Sequence, residues 1–299
     1  MPERLFTAIP FAVLFWVAAG VAVAQKTVLP DTSRYVLVKT TDENEFAGKL
    51  VSQDSASLVL ETENFGTITI RSQVVRSIRP MTARKMVKGR YWFESPHSTR
   101  YYVGQNGYGL HKGEGYFENG WLFFNQVSYA LTDRFSMGLG FAPLIILDGP
   151  FPVWFTPKIT FPIRQNWINL GIGALYGHTF DPVYGYDDNS YTAFYGQLSV
   201  GSRDANANLG YGYGFSDAGW WQAPIWSVSG MLRTGPKAAL ITENFFYSTS
   251  YENGAIFSFG ARFMGRRIAF DGAVLFPFID SEGYAIPWLG LHVPFGSPK

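Results

Sequence analysis

From Phe135 to Ala142 the chain reads FSMGLGFA, with Phe135, Met137, Leu139 and Phe141 on one face of an extended strand and Ser136, Gly138, Gly140 and Ala142 on the other. The same period of two returns in ANLGYGYGFS, where Leu209, Tyr211, Tyr213 and Phe215 oppose Asn208, Gly210, Gly212, Gly214 and Ser216. In IPWLGLHVPF it sets Leu289, Leu291, Val293 and Phe295 against Trp288, Gly290 and His292. Between Ile256 and Phe278, a two-residue turn at Arg266-Arg267 places Arg262 opposite Asp271, Phe263 opposite Phe270 and Phe259 opposite Val274. One face of each strand is bulky and apolar, and the other is small or polar. TAFYGQLSV and KAALITENFF have mixed faces, which leaves their orientation open.

Turn chemistry divides this pattern. Short polar turns are predicted at Thr132-Asp133-Arg134, Arg164-Gln165-Asn166, Asp204-Ala205-Asn206, Thr234-Gly235-Pro236 and Arg266-Arg267. Longer connections are predicted around residues 104–117, 147–152, 179–190, 217–223, 249–254 and 280–283. Strict alternation of short and long connections yields twelve antiparallel strands with both ends of the segment on the short-turn side, the arrangement of bacterial outer-membrane barrels. Tyr, Trp or Phe stand near strand ends, among them Trp121, Tyr129, Trp154, Trp167, Tyr176, Tyr191, Trp226 and Trp288, where an interfacial girdle needs them.

Residues 34–80 are of another style. YVLVKT, EFAGKLVSQ, SLVLET, GTITI and VVRSI are five short runs separated by turn signals at Asp42, Asp54-Ser55 and Asn64-Phe65-Gly66, which suits a small closed barrel. The segment LVKTTDENEFAGKLVSQDSASLVLET resembles the Sm-like or SH3-like barrels, in which a strongly bent second strand follows an acidic turn. Sm-like modules bind RNA, but a secreted copy meets none, so the resemblance implies a fold and not that function. The module is expected either to have no ligand or to take a protein or peptide partner. A basic run follows, with Arg76, Arg79, Arg84, Lys85, Lys88 and Arg90 and no acid among them. Residues 81–96 read as a solvated linker that, beside a membrane, would attract anionic head groups.

Composition narrows the setting. Charged residues make up 16% of the chain, against about 25% in typical soluble domains, while Phe, Trp and Tyr reach 17% and glycine numbers 32. A net charge of +1 lacks the concentrated basic surface that nucleic acid requires. The absence of cysteine excludes thiolate metal sites, thiol nucleophiles and disulfides. Residues 1–24 read as a signal peptide: Arg4 in the n-region, an apolar stretch from Leu5 to Ala19, and Ala22-Val23-Ala24 before Gln25. A retained anchor is the alternative reading of that stretch. Residues 25–33 form an N-terminal extension.

These observations decide which face is inside. On the barrel segment, 97–299, the small face is glycine rather than Lys, Glu or Thr, so the bulky face is assigned to lipid and the small face to the lumen. The opposite choice would put Arg262 in hydrocarbon, at about 2–4 kcal/mol near the midplane. The lumen set is then Gln126, Lys158 with Thr156 and Thr160, Arg262, Asp271 and His292, with Glu243 on a mixed strand. Arg262 and Asp271 satisfy each other across the ladder, whereas Lys158 has no partner visible in sequence and is the candidate for touching a solute. The stretch from Ser95 to Phe141, together with KAALITENFF, resembles an uncharacterised family of predicted outer-membrane barrels of Gram-negative bacteria. That resemblance implies fold and location but no activity. Many such barrels end on an aromatic residue, whereas this chain continues past Phe295 to Lys299.

No catalytic pattern is present: neither G-x-S-x-G, H-E-x-x-H, a Walker loop nor G-x-G-x-x-G. His97 and His111 flank the first long connection and are read as solvated rather than metal-ligating. Asp181, Asp187 and Asp188 share an acidic loop whose spacing is not that of a calcium loop. The expectation is therefore an all-β protein, with a small five-stranded SH3/Sm-like barrel in the periplasm and a transmembrane barrel of about twelve strands in the outer membrane. Its expected role is a narrow passive channel or a membrane anchor for the module, with lipids as neighbours and no cofactor, metal or catalytic residue. Two alternatives are a lipid-modifying membrane enzyme and a structural tether that binds an envelope protein through residues 34–80.

Overall fold

A computed structural model describes residues 35–81, 86–87, 90–93, 95, 97–144, 150–164, 167–180, 189–248, 253–265, 267–279 and 282–296. The expected signal segment, the extension 25–33, Arg84, Lys85 and Lys88 of the linker, and the acidic loop with Asp181, Asp187 and Asp188 lie outside the described residues. The chain divides into one unit over residues 24–94 and another that contains residues 95–299.

In the first unit, alternation of aliphatic and polar residues produces five antiparallel strands: β1 (Tyr35–Thr40), β2 (Glu45–Gln53), β3 (Ser57–Thr62), β4 (Gly66–Arg71) and β5 (Val75–Pro80). Their order in the sheet is β4-β3-β2-β1-β5, with a single 3-10 turn, Ser72–Val74, joining the two edge strands. Val36, Val38, Leu58, Leu60 and Ile70 form the core, covered by Phe46, Leu50, Ile68, Val75 and Ile78. Turn residues act by the chemistry their types dictate. Asp54 Oδ1 accepts the amides of Ala56 and Ser57 at 2.8 and 2.6 Å, and Gly66 takes a φ of 63° that closes the β3–β4 hairpin. The β2–β3 register slips between Leu50 and Ser52, a bulge in the second strand.

In the second unit twelve antiparallel strands close on themselves: β6 (Glu114–Gly120), β7 (Phe124–Ala130), β8 (Phe135–Phe141), β9 (Phe151–Arg164), β10 (Ile168–Phe180), β11 (Asn189–Gly201), β12 (Ala205–Ser216), β13 (Ile225–Gly235), β14 (Ala238–Ser248), β15 (Asn253–Met264), β16 (Ala269–Ile279) and β17 (Ile286–Gly296). Each pairs with its sequence neighbour, and β17 returns to β6 in register from Gly290 opposite Gly120 to Gly296 opposite Glu114. Closure leaves no edge strand with unpaired backbone groups. Arg262 stands opposite Asp271, Phe263 opposite Phe270 and Phe259 opposite Val274, as the turn argument required.

The outer face is apolar. Leu139, Phe259, Phe263, Phe270 and Leu289 are all more than half exposed on it. The strands with mixed faces are resolved: Phe194, Leu198 and Leu240 are exposed, while Ser199, Ile241 and Glu243 are buried. The girdle expectation needs correction. Tyr129, Trp167, Tyr176 and Trp226 are exposed, but Trp121, Trp154, Tyr191 and Trp288 line the interior.

The count of twelve is reached by a different route from the one the turn spacing suggested. Residues 104–117 are not an external connection: 114–117 belong to β6, and 97–110 fold inside the barrel. The missing strand is recovered because the chain turns at Trp121 and Leu122, both with positive φ (50° and 67°), splitting one expected strand into β6 and β7. Bulky residues rarely take that conformation, so composition gave little warning beyond the Asn119-Gly120 dipeptide just before it.

Candidate functional site: a hairpin inside the barrel

STRYYVGQNGYG has no bulky face to offer lipid, and it goes where polar backbone can be satisfied. Asn106 N donates to Thr99 O, and Tyr101 N donates to Gly104 O, with a bridge between Arg100 and Gln105. The result is a tight hairpin whose His97, Ser98, Thr99, Arg100, Tyr101, Tyr102, Asn106 and Tyr108 are all buried. It enters from the short-turn end. Ser95 Oγ lies 3.3 Å from Met264 Sδ, Tyr108 OH donates to Gly201 O at 2.9 Å, and Arg203 donates to Ser98 Oγ and Gly109 O at 2.9 and 2.6 Å.

The wall grips it through charged groups. An arginine has five N–H donors, and Arg262, fully buried, uses all of them. Two go to the Asp271 carboxylate at 2.7 and 2.8 Å. The other three go to hairpin carbonyls: His97 at 2.6 Å, Arg100 at 3.2 Å and Tyr101 at 2.7 Å. His292 Nε2 completes the group, 2.8 Å from Asp271 Oδ2. On the far side of the turn, Glu243 accepts three successive backbone amides, those of Tyr102, Val103 and Gly104, at 3.1, 2.9 and 2.7 Å. Such a run of N–H groups is an anion-binding concavity, filled here by the barrel's own carboxylate.

The remaining anchors are distributed around the cylinder. Lys158 Nζ donates to Tyr108 O at 2.7 Å, Gly107 N to Ser199 Oγ at 2.8 Å, Tyr101 OH to Asn206 Oδ1 at 2.6 Å and Tyr102 OH to Ile241 O at 2.9 Å. Arg100 forms a buried ion pair with Glu118 of β6 and reaches back to the Tyr102 and Val103 carbonyls of its own turn. Gly107 makes the close approach possible, because a Cβ there would stand 2.3 Å from Asn169 O.

The expected lumen residues are therefore brought inside, but with partners the sequence did not show. Lys158 is not the free cation it seemed: its acceptor is a backbone carbonyl 50 residues away in the hairpin. Gln126 accepts from Trp154 Nε1 at 2.7 Å and donates to Ser128 Oγ at 3.0 Å. Thr156 and Thr160 are buried on the same wall. Of the two histidines read as solvated, His97 is instead fully buried and packs on the His292 ring with centroids 4.8 Å apart, while His111 is exposed beside Asp133. Sequence reasoning did not find Arg100, Glu118, Ser199, Arg203 or Asn206. The one available signal was the lack of any lipid-facing side in residues 97–109.

No family model matches the sequence, and no curated protein matches it. Among solved structures, the chain is similar to the KdgM porin in complex with disordered oligogalacturonate, at 7% identity over 61% of this chain and 97% of that one, with a TM-score of 0.44. It is also similar to the outer membrane protein OprD from Pseudomonas aeruginosa, at 13% identity over 59% of each chain, with a TM-score of 0.37. A third is the translocator domain of the autotransporter NalP from Neisseria meningitidis, at 10% identity over 61% of this chain and 87% of that one, with a TM-score of 0.37. At these identities and TM-scores neither fold nor activity is carried over to this chain.

Proposed function

We propose that the chain is a bacterial outer-membrane barrel channel held shut by its own 97–110 hairpin, with the module of residues 34–80 in the periplasm. The apolar outer face, the even strand count and the closed ladder support the membrane reading. The observation that carries the gated reading is the engagement of Arg262, whose three bonds to hairpin carbonyls hold the lumen's occupant from the wall. Apolar packing would have held a permanent plug at least as well, since buried ion pairs lose much of their attraction to desolvation. Polar anchors have a different merit. When the hairpin leaves, Arg262, Glu243 and Lys158 line a lumen that water can fill, and Lys158 becomes the solute-facing cation. The role is passive and includes no catalytic step. An envelope protein bound to the module is the partner we propose, beside the outer-membrane lipids.

Single-channel recording in planar bilayers tests this with the mature protein and a deletion of residues 97–110. The full chain is expected to open rarely and briefly, and the deletion to give steady steps whose ion selectivity reverses toward cations in Lys158→Glu. A deletion variant that folds, judged by heat-modifiable mobility, yet stays silent would sink the channel reading.

A further inference from the structure

Exposed charge in the barrel unit is sorted by end. At the short-turn end Lys112, Arg134, Arg164, Lys237 and Arg267 are exposed, each on a different connection. Among the described residues, none of these five side chains is joined to an acid. The acids of that end have other bonds: Asp204 holds Arg233 at 2.8 Å, Asp133 accepts the Lys112 amide at 2.9 Å and Glu114 the His111 amide at 2.8 Å. The less exposed arginines there also have partners in the chain, since Arg203 donates to Ser98 Oγ and Gly109 O and Arg233 to Asp204 and Pro236 O. Connections at the opposite end, 121–123, 142–150, 181–188, 217–224, 249–252 and 280–285, contain no lysine or arginine. Their acids include Asp148, Asp181, Asp187, Asp188, Asp217 and Glu252.

The five cations stand at the edge of the apolar band. In the chain Arg164 falls between the exposed Ile163 and Trp167, and Arg267 precedes the exposed Ile268. Arg134 and Lys237 are each three positions from an exposed leucine, Leu131 and Leu240. Lys112 reaches the same edge because Gly113 N donates to Ala130 O, between the exposed Tyr129 and Leu131. At about 3.4 Å per residue, three positions are roughly 10 Å of strand, the range over which a charged membrane surface acts on a basic side chain. Exposed Trp and Tyr mark the level of the head groups, and Trp167 and Tyr129 set that level at these turns. Short turns of bacterial outer-membrane barrels face the periplasm, where the leaflet is made of phospholipid. We propose that Lys112, Arg134, Arg164, Lys237 and Arg267 form a ring that binds the phosphodiester head groups of anionic phospholipids such as phosphatidylglycerol. The acidic opposite end offers such head groups no cation. This inference rests on the membrane reading and is independent of whether the barrel conducts.

The test uses the protein in phosphatidylcholine bilayers that carry a trace of spin-labelled phosphatidylglycerol or spin-labelled phosphatidylcholine. Electron paramagnetic resonance reads the fraction of each label that is slowed at the barrel's perimeter. Phosphatidylglycerol is expected to be preferred about threefold or more at low salt. That preference should fall to near equality at about 1 M salt, where charges are screened within about 3 Å, and likewise in the combined variant Arg134→Gln, Arg164→Gln, Lys237→Gln, Arg267→Gln. Slowed lipid of both kinds without preference overturns the proposal, as does a preference that survives either high salt or the four substitutions. Should the combined variant fail to fold, judged by heat-modifiable mobility, the salt series on the unmodified protein still decides. Lipid A that displaces the slowed phosphatidylglycerol better than unlabelled phosphatidylglycerol does would reassign the ring to lipopolysaccharide. Displacement by glycerol phosphate, added at the concentration of the lipid, would make it a site for soluble anions, and either result overturns the proposal. If neither label is slowed at all, the membrane reading itself fails, which sets that failure apart from a ring without lipid preference.

Discussion

Arg262 is where wall and hairpin meet, and its removal separates two effects. Arg262→Ala leaves Asp271 buried without its cation and three carbonyls without donors, and a loss of about 3–5 kcal/mol is expected from breaking such a pair, read from thermal unfolding in detergent. Arg262→Met combined with Asp271→Leu removes both charges and should recover most of the barrel's stability, yet the hairpin carbonyls remain unpaired. Proteolysis within residues 97–110 should therefore rise in the double variant while the barrel's heat-modifiable mobility persists. The Arg262–Asp271 bond was legible in sequence because a short turn sets the two residues opposite each other, 9 positions apart. The partners of Glu243 and Ser199 were not, because their donors lie about 140 and 92 residues away and no local rule ties such positions together.

Hairpins in the two units show how an element's chemistry decides its place. Strand patterns such as FSMGLGFA carry a lipid face, whereas STRYYVGQNGYG mixes tyrosine hydroxyls, glycine, small polar side chains and one arginine and is stable only where a polar wall receives it. Gly107→Ala puts a Cβ against Asn169 O, with 2.3 Å between them. It should dislodge the returning arm of the hairpin and raise amide exchange at Asn106 and Gly107 by tenfold or more, with the β9–β10 ladder protected as before. In the module, the β2–β3 hairpin rests on Asp54, whose bonds from the Ser57 and Ala56 amides hold its carboxyl below the usual value. A carboxyl held low contributes stability that is complete above its unfolded value and lost as pH falls through the folded one. Exchange of the Ala56 and Ser57 amides should consequently quicken relative to the rest of the module below about pH 4, the usual carboxyl range. Asp54→Asn should flatten that dependence.

For the whole molecule, the absence of cysteine makes single-cysteine labelling straightforward. Leu139→Cys and Phe259→Cys, on the outer face, should carry nitroxides that report a lipid environment in proteoliposomes. Asn106→Cys, fully buried beneath the hairpin turn, should resist aqueous maleimide in the intact barrel. It should react at least tenfold faster when Glu243→Leu removes the acceptor for three turn amides. A lipid signal at none of the outer positions would refute the membrane placement, and rapid labelling of Asn106→Cys in the otherwise unmodified barrel would refute the seated hairpin.

The sequence by itself determined the strand content, the inward and outward sides of most strands and the cross-strand pairing of Arg262 with Asp271. All of these follow from a period of two and from turn residues, which act over a few positions. Only the tertiary structure decided that residues 97–110 lie inside, that the barrel turns at Trp121 and Leu122, and that Lys158, Glu243 and Arg262 hold the chain's own backbone. Backbone carbonyls and amides are the same at every residue and leave no trace in the pattern of side chains. A wall that binds them announces its charges in the sequence, but not what those charges are for.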